Sequence, residues 1–149
     1  MQNNNFAVAI QLIVQASIDG KPHHEAVLEL CDTPQYLLDA GFPALRVVIK
    51  GKTVDKAHFD HGITRGILER LPDLITAPKA LYRSATHPDS TVVVSFEQKD
   101  GSPILLPMHK QAPVGRDTRN VVASVYCKEA SVEARWQQQG LLLWTAPKK

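Results

Sequence analysis

The stretch from Thr91 to His109 constrains the fold more than any other part of the chain. Thr91–Glu97 alternates and is dense in β-forming residues, and Ile104–His109 returns with the same character. Asp100-Gly101 lies between them and is a turn signal for a β-hairpin, because short hairpin turns need residues that tolerate positive φ. Gln111–Thr118 reads as a polar loop. Asn120–Tyr126 is a further β-rich strand. Lys128–Gln139 reads as a helix closed by Gly140, and Leu141–Thr145 as a final strand.

The first half is mostly helical. Asn3–Asn5 can cap a helix over Phe6–Ser17, where Phe6, Ala9, Ile10, Ile13 and Val14 recur at i, i+3, i+4 spacing. Asp19–Pro22 is a turn and Ala26–Leu30 a short strand. A short helix over Pro34–Ala40 stops at Gly41, and Leu45–Ile49 is a β-branched strand. Short segments at Leu74–Ala77 and Ala80–Tyr82 flank Pro78. The order predicts an α+β fold, an antiparallel sheet packed by N-terminal helices, with one late helix before the last strand. The 149 residues suit one domain, and an apolar content of 44% supports one sizeable core.

The segment Thr53–Leu71 is predicted to be one continuous helix, with Pro72 after it. At about 100° per residue, Val54, Phe59, Ile63, Ile67, Leu68 and Leu71 share a broad arc that should face the core. Lys56, Asp60, His61 and Thr64 fall in that arc or at its margin, while His58, Arg65 and Glu69 fall on the polar side. Burying an ammonium demands a partner or an open cleft. Two readings of Lys56 therefore fit: a Lys56–Asp60 pair with the lysine reaching to solvent, or one wall of an active cleft. Asn120, Ser124 and Tyr126 share one face of a strand by its period of two, either as a wet face or as the lining of a phosphate site.

Charge is nearly balanced, at +2 with a pI near 8.6. Cations gather at Arg46–Lys56 and at Gly101–Lys128, and acids at His23–Ala40. Were the two basic stretches to meet, they would make a side facing a polyanion; otherwise they form a mixed solvated surface. His58-x-x-His61 has metal-ligand residue types but lacks the following Glu or a Cys cluster, so no metal is expected. His23-His24 falls in a solvated turn. Ser84 and Ser124 lack a nucleophile elbow, and no phosphate-binding glycine loop occurs, so no cofactor is expected. Cys31 and Cys127 lie in strand-like contexts and leave a disulfide open. Phe6–Val14 is too short for a membrane span and is interrupted by Gln11, and no basic segment precedes it as in a signal peptide. The expected compartment is the cytoplasm.

A particular order of residues runs through the chain: Leu28-Glu-Leu-Cys-Asp-Thr-Pro34, Leu37–Gly41, a strand, then Asp55-Lys56 and His61-Gly62-Ile63. Leu71-Pro-Asp-Leu-Ile75, Arg83-Ser84, a hairpin, Asn120, Ser124-Val-Tyr126 and Trp136…Trp144 follow. This order resembles the phage- and plasmid-borne branch of the barnase/EndoU/colicin/RelE-like nuclease superfamily. The resemblance spans residues 27–149 as a nuclease-like region and leaves residues 1–20 as an N-terminal helical extension. It implies a metal-independent endoribonuclease, a toxin or effector of a mobile element, in which the ribose 2′-OH attacks the adjacent phosphate to give a 2′,3′-cyclic phosphate. Lys56, His61, Arg83, Ser124 and Tyr126 would be catalytic, with Ser84, Arg119 and Asn120 binding substrate. His61 would move protons, Lys56 and Arg83 would stabilise charge, and Ser124 and Tyr126 would bond phosphate or ribose. The implied partners are RNA, tRNA among the candidates, and a cognate immunity or antitoxin protein, with delivery into a target cell in view. The alternative is a non-catalytic RNA- or protein-binding module of a phage or plasmid conflict system.

Overall fold

Phe6, Ile10, Ile13 and Val14 recur at helical spacing, and they are the buried face of α1 (Asn4–Ile18). The computed structural model describes residues 4–87 and 90–147; of the expected cap at Asn3–Asn5, Asn4 and Asn5 lie within α1 and Asn3 lies outside the described residues. β1 (Val27–Asp32), α2 (Gln35–Asp39) and β2 (Arg46–Lys50) follow. β3 (Ala80–Arg83), β4 (Thr91–Lys99), β5 (Ser102–Val114), β6 (Asp117–Val122), β7 (Tyr126–Cys127), α6 (Val132–Gln138) and β8 (Leu142–Thr145) complete the sheet and its late helix. The strands stand in the order β1-β2-β6-β5-β4-β3-β8, with β7 also on β5. Every pairing is antiparallel except β2–β6. The α+β class and the late helix before the last strand are as the sequence predicts.

The β4–β5 hairpin turns on Asp100 and Gly101, with φ of 53° and 82°, and Lys99 faces Ser102 across it. Two positive φ values at the central positions match the strand twist, which explains the Asp-Gly choice. The expected polar loop at Gln111–Thr118 is instead a second hairpin. β5 continues to Val114, Gly115 supplies a positive φ, and β6 begins at Asp117. Alternation there is masked by a bulge between His109 and Ala112, where Gln111 takes a left-handed φ of 53°.

The sheet separates two cores. On one side, Val47, Ile49, Leu81, Val93, Ile104, Leu106, Met108 and Val122 pack against α1, α2 and the helical segments after β2. On the other, Ala80, Tyr82, Val92, Val94 and Leu105 meet Val132 and Trp136 of α6. α1 is thus built into the larger core.

The long helix expected over Thr53–Leu71 is broken. α3 (Gly51–Asp55) runs into a π-helical turn at Lys56–Asp60, which we call the π-turn. The chain reverses at Gly62 with φ of 66°, and α4 (Arg65–Glu69) and α5 (Leu71–Thr76) follow. Thr64 caps α4 by accepting the Ile67 N–H at 3.3 Å. A π-turn changes the angle per residue, so an arc drawn at 100° fails beyond Asp55. Phe59, expected in the core, is 50% exposed, and Lys56 and Asp60 are exposed rather than buried. His58, expected on the surface, is half-buried and donates from Nδ1 to the Ile63 carbonyl at 2.9 Å. Val54, Ile63, Leu68 and Leu71 do reach the core.

Candidate functional site

His61 ends the π-turn, and its amide donates to the Lys56 carbonyl at 3.1 Å. Its half-buried imidazole lies beside the Tyr126 ring, with centroids 6.1 Å apart and planes tilted by 49°. Tyr126 stands on β7 opposite Leu105. Burial pushes its phenol above the ordinary value, which keeps the hydroxyl protonated and able to donate. Lys99, at the end of β4, donates from Nζ to the His61 carbonyl at 3.4 Å. A Cβ on Gly62 would fall 2.4 Å from that same Nζ, so the bare glycine admits the ammonium. An imidazole, a phenol and an ammonium thus come to one turn. Lys99 escaped the sequence reading because its place depends on where the hairpin tip lands, and no local pattern marks it.

The other expected residues are distributed. Lys56 is exposed on the π-turn and lines a different recess. Arg83 is exposed and pairs with Thr91, at the far end of β4 from Lys99. That separation is about 26 Å along an extended strand. Ser84 accepts the backbone N–H groups of Thr86 and His87 at 3.3 and 3.1 Å. Arg119 bonds the Thr118 carbonyl and pairs with Asp117. Ser124 is half-buried in the break between β6 and β7.

Asn120 is fully buried. Its Nδ2 donates to Thr33 Oγ1 at 2.7 Å and to the Pro43 carbonyl at 3.0 Å, and its Oδ1 accepts the Gln111 amide at 3.2 Å. Asn120, Ser124 and Tyr126 therefore do not share the single polar face expected of them. The strand stops after Val122 and restarts at Tyr126, which changes its parity. Asn120 aligns with Val47 on the larger-core side, whereas Tyr126 packs with the α6-side cluster.

The two basic stretches do meet, where β2 lies beside β6. Lys50 and Arg119 line a recess there of about 530 Å³, but Glu25, Glu29 and Asp117 share it. Arg46 pairs with Glu29 and Asp32 at 3.3 and 3.1 Å. The surface is mixed in sign. Cys31 and Cys127 are free, and burial pushes the Cys31 thiol up to about 11. Among the described residues no group of three or more His, Cys, Asp or Glu is placed to hold a metal, and no helix is long and apolar enough to cross a membrane.

A family model for the phage MuF C-terminal domain matches residues 52–149. No curated protein and no solved structure matches the chain.

Proposed function

The chain belongs to the phage MuF C-terminal domain family, and from that premise we propose that it is a metal-independent endoribonuclease acting as an effector of the phage. One observation carries the reading: the His61 imidazole, the Tyr126 phenol and the Lys99 ammonium gather at one turn. His61 takes the proton of the ribose 2′-OH as its oxygen attacks phosphorus. The bond from phosphorus to the 5′-oxygen breaks, and that oxygen takes a proton from Tyr126. The products are a 2′,3′-cyclic phosphate and a 5′-OH, and water carries the proton from imidazolium back to the phenolate. Lys99 stabilises the charge that builds on the phosphorane. Ser124, two residues before Tyr126, bonds the ribose, while Lys56, Arg83 and Arg119 touch phosphates outside the scissile one. Asn120 and Ser84 hold the frame in which these groups stand.

The test is total RNA incubated with purified protein, with and without EDTA, and the ends of the products identified. Cleavage is expected to survive the chelator and to fall on the order of a hundredfold in His61→Ala. The exposed His109→Ala serves as control. A folded His61→Ala protein that cleaves normally sinks the proposal, as does activity that EDTA abolishes and a divalent ion restores. A second reading, a non-catalytic RNA- or protein-binding module, draws on the dispersal of Arg83 and Arg119 away from His61. RNA bound but never cut would favour it.

A further inference from the structure

A second recess, of about 370 Å³, opens between α1, the loop at Pro22–Ala26, α3 and the π-turn. Its wall holds Asp55, only 7% exposed. Asp55 Oδ2 accepts from Ser17 Oγ at 2.6 Å and pairs with His24 Nε2 at 3.2 Å, while its buried Oδ1 has no partner among the described residues. The loop that carries His24 is seated tightly on α3. The Gly51 amide donates to the Ala26 carbonyl at 2.7 Å and the Lys52 amide to the His24 carbonyl at 3.3 Å. A Cβ on Gly51 would stand 2.0 Å from the His23 carbonyl oxygen, so the seat requires glycine. His24 is therefore held through both its backbone and its ring.

Two ammoniums flank the recess, and the exposed Asp60 carboxylate shares its lining. Lys52 and Lys56 are spaced i, i+4 through α3 and make no ion pair among the described residues. At the rim, Phe59 is half exposed, with His58 in edge contact at 4.9 Å between centroids. A large aromatic left in water beside unpaired cations suits a ligand with an anionic group and a flat ring. The partnerless Asp55 oxygen adds a buried acceptor that awaits a donor.

We propose that this recess binds one nucleotide unit of single-stranded RNA, its phosphate between Lys52 and Lys56 and its base stacked on Phe59. The polymer in that statement rests on the RNA-cleaving reading above, while binding of the nucleotide itself does not. The arrangement places a nucleotide seat on the same π-turn that ends in His61, so the seat sets which nucleotide next to the cleavage point is gripped.

The experiment titrates the isotope-labelled full chain with adenosine, guanosine and uridine 5′-monophosphates, and separately with inorganic phosphate and phosphoserine. Amide shifts of His24, Lys52 and Phe59 are followed by NMR. Nucleotides are expected to shift these residues and to bind about tenfold or more tightly than phosphate, the scale of base–aromatic stacking. Phe59→Ala should bring nucleotide affinity down to that of phosphate and leave phosphate binding unchanged, and Lys52→Ala with Lys56→Ala should weaken both. A thermal melt of each variant confirms folding. Mononucleotides that leave these residues unmoved, that bind no better than phosphate, or that phosphoserine equals would overturn the proposal. Nucleotide binding here without RNA cleavage would support this seat while removing the earlier reading. Cleavage without nucleotide binding would remove only the seat.

Discussion

Asn120 ties three distant parts of the chain together with one amide. Thr33 and Pro43 lie 87 and 77 residues away, and Gln111 sits in the bulge of the neighbouring strand. Removing such an amide strands buried donors and acceptors, each of which costs about 1–3 kcal/mol. Asn120→Ala is expected to destabilise the fold by roughly 3 kcal/mol and to lower Tm by roughly 6–12 °C. Calorimetry checks it, and an unchanged melt would show that the bonds contribute nothing. The residue was visible in the sequence only as a polar side chain on a strand. Its partners are too far along the chain for any local pattern to reveal that it is a structural tie. His61 was legible because a histidine at the margin of an apolar stretch is unusual, and its neighbour Tyr126 because a late strand carries it. Lys99, Asp55 and His24 were not, since each acquires its meaning from a tertiary neighbour.

At the level of elements, the strands were legible and the central helix was not. Strand character survives small irregularities, so β1, β2, β4, the start of β5 and β8 fall within a residue or two of where the sequence puts them, whereas β3 is marked only as a short segment beside Pro78. Helix phase does not survive an inserted π-turn, so Lys56, Phe59 and Asp60 turn to solvent and His58 inward, while Ile63, Leu68 and Leu71 reach the core from separate short elements. Gly62 is the hinge of that break. Gly62→Ala forces an L side chain into positive φ, at a cost of about 1–2 kcal/mol, and drives its Cβ toward Lys99 Nζ. The lysine tip can swing aside, so the protein should fold with Tm lowered by roughly 2–8 °C and with Lys99 displaced from the His61 turn. Gly115→Ala makes the comparison: its φ is also positive, at 61°, but nothing lies within 4 Å of its Cβ. Similar losses of Tm for both variants, with RNA cleavage reduced only at position 62, are the expected result. Equal cleavage in the two would detach Lys99 from the chemistry.

Across the whole molecule, the family match begins at residue 52, inside α3, whereas the sheet and the larger core continue upstream. β2 covers one edge of β6, and Phe6, Ile10, Ile13, Val14, Leu37 and Ile49 belong to the same buried cluster as Val93, Leu106 and Val122. A fragment of residues 52–149 would expose a β6 edge and a wide apolar surface. It is expected to aggregate or to melt without a cooperative transition, while the full chain melts sharply. A soluble monomeric fragment with a sharp melt would show that the N-terminal third adds little.

The one parallel pairing among the described strands, β2 on β6, also governs the order of events at the ribosome. Val47 and Val48 cannot meet Asn120 and Val121 until the whole hairpin series has been synthesised. The first helix, β1 and β2 emerge early with their apolar faces unmet, and they wait for a strand that is translated late. Contacts so distant in sequence slow folding, and they leave the nascent chain exposed to mispairing in the interval. A chaperone that shields the N-terminal third during translation would therefore raise the yield of native protein more than one acting after release.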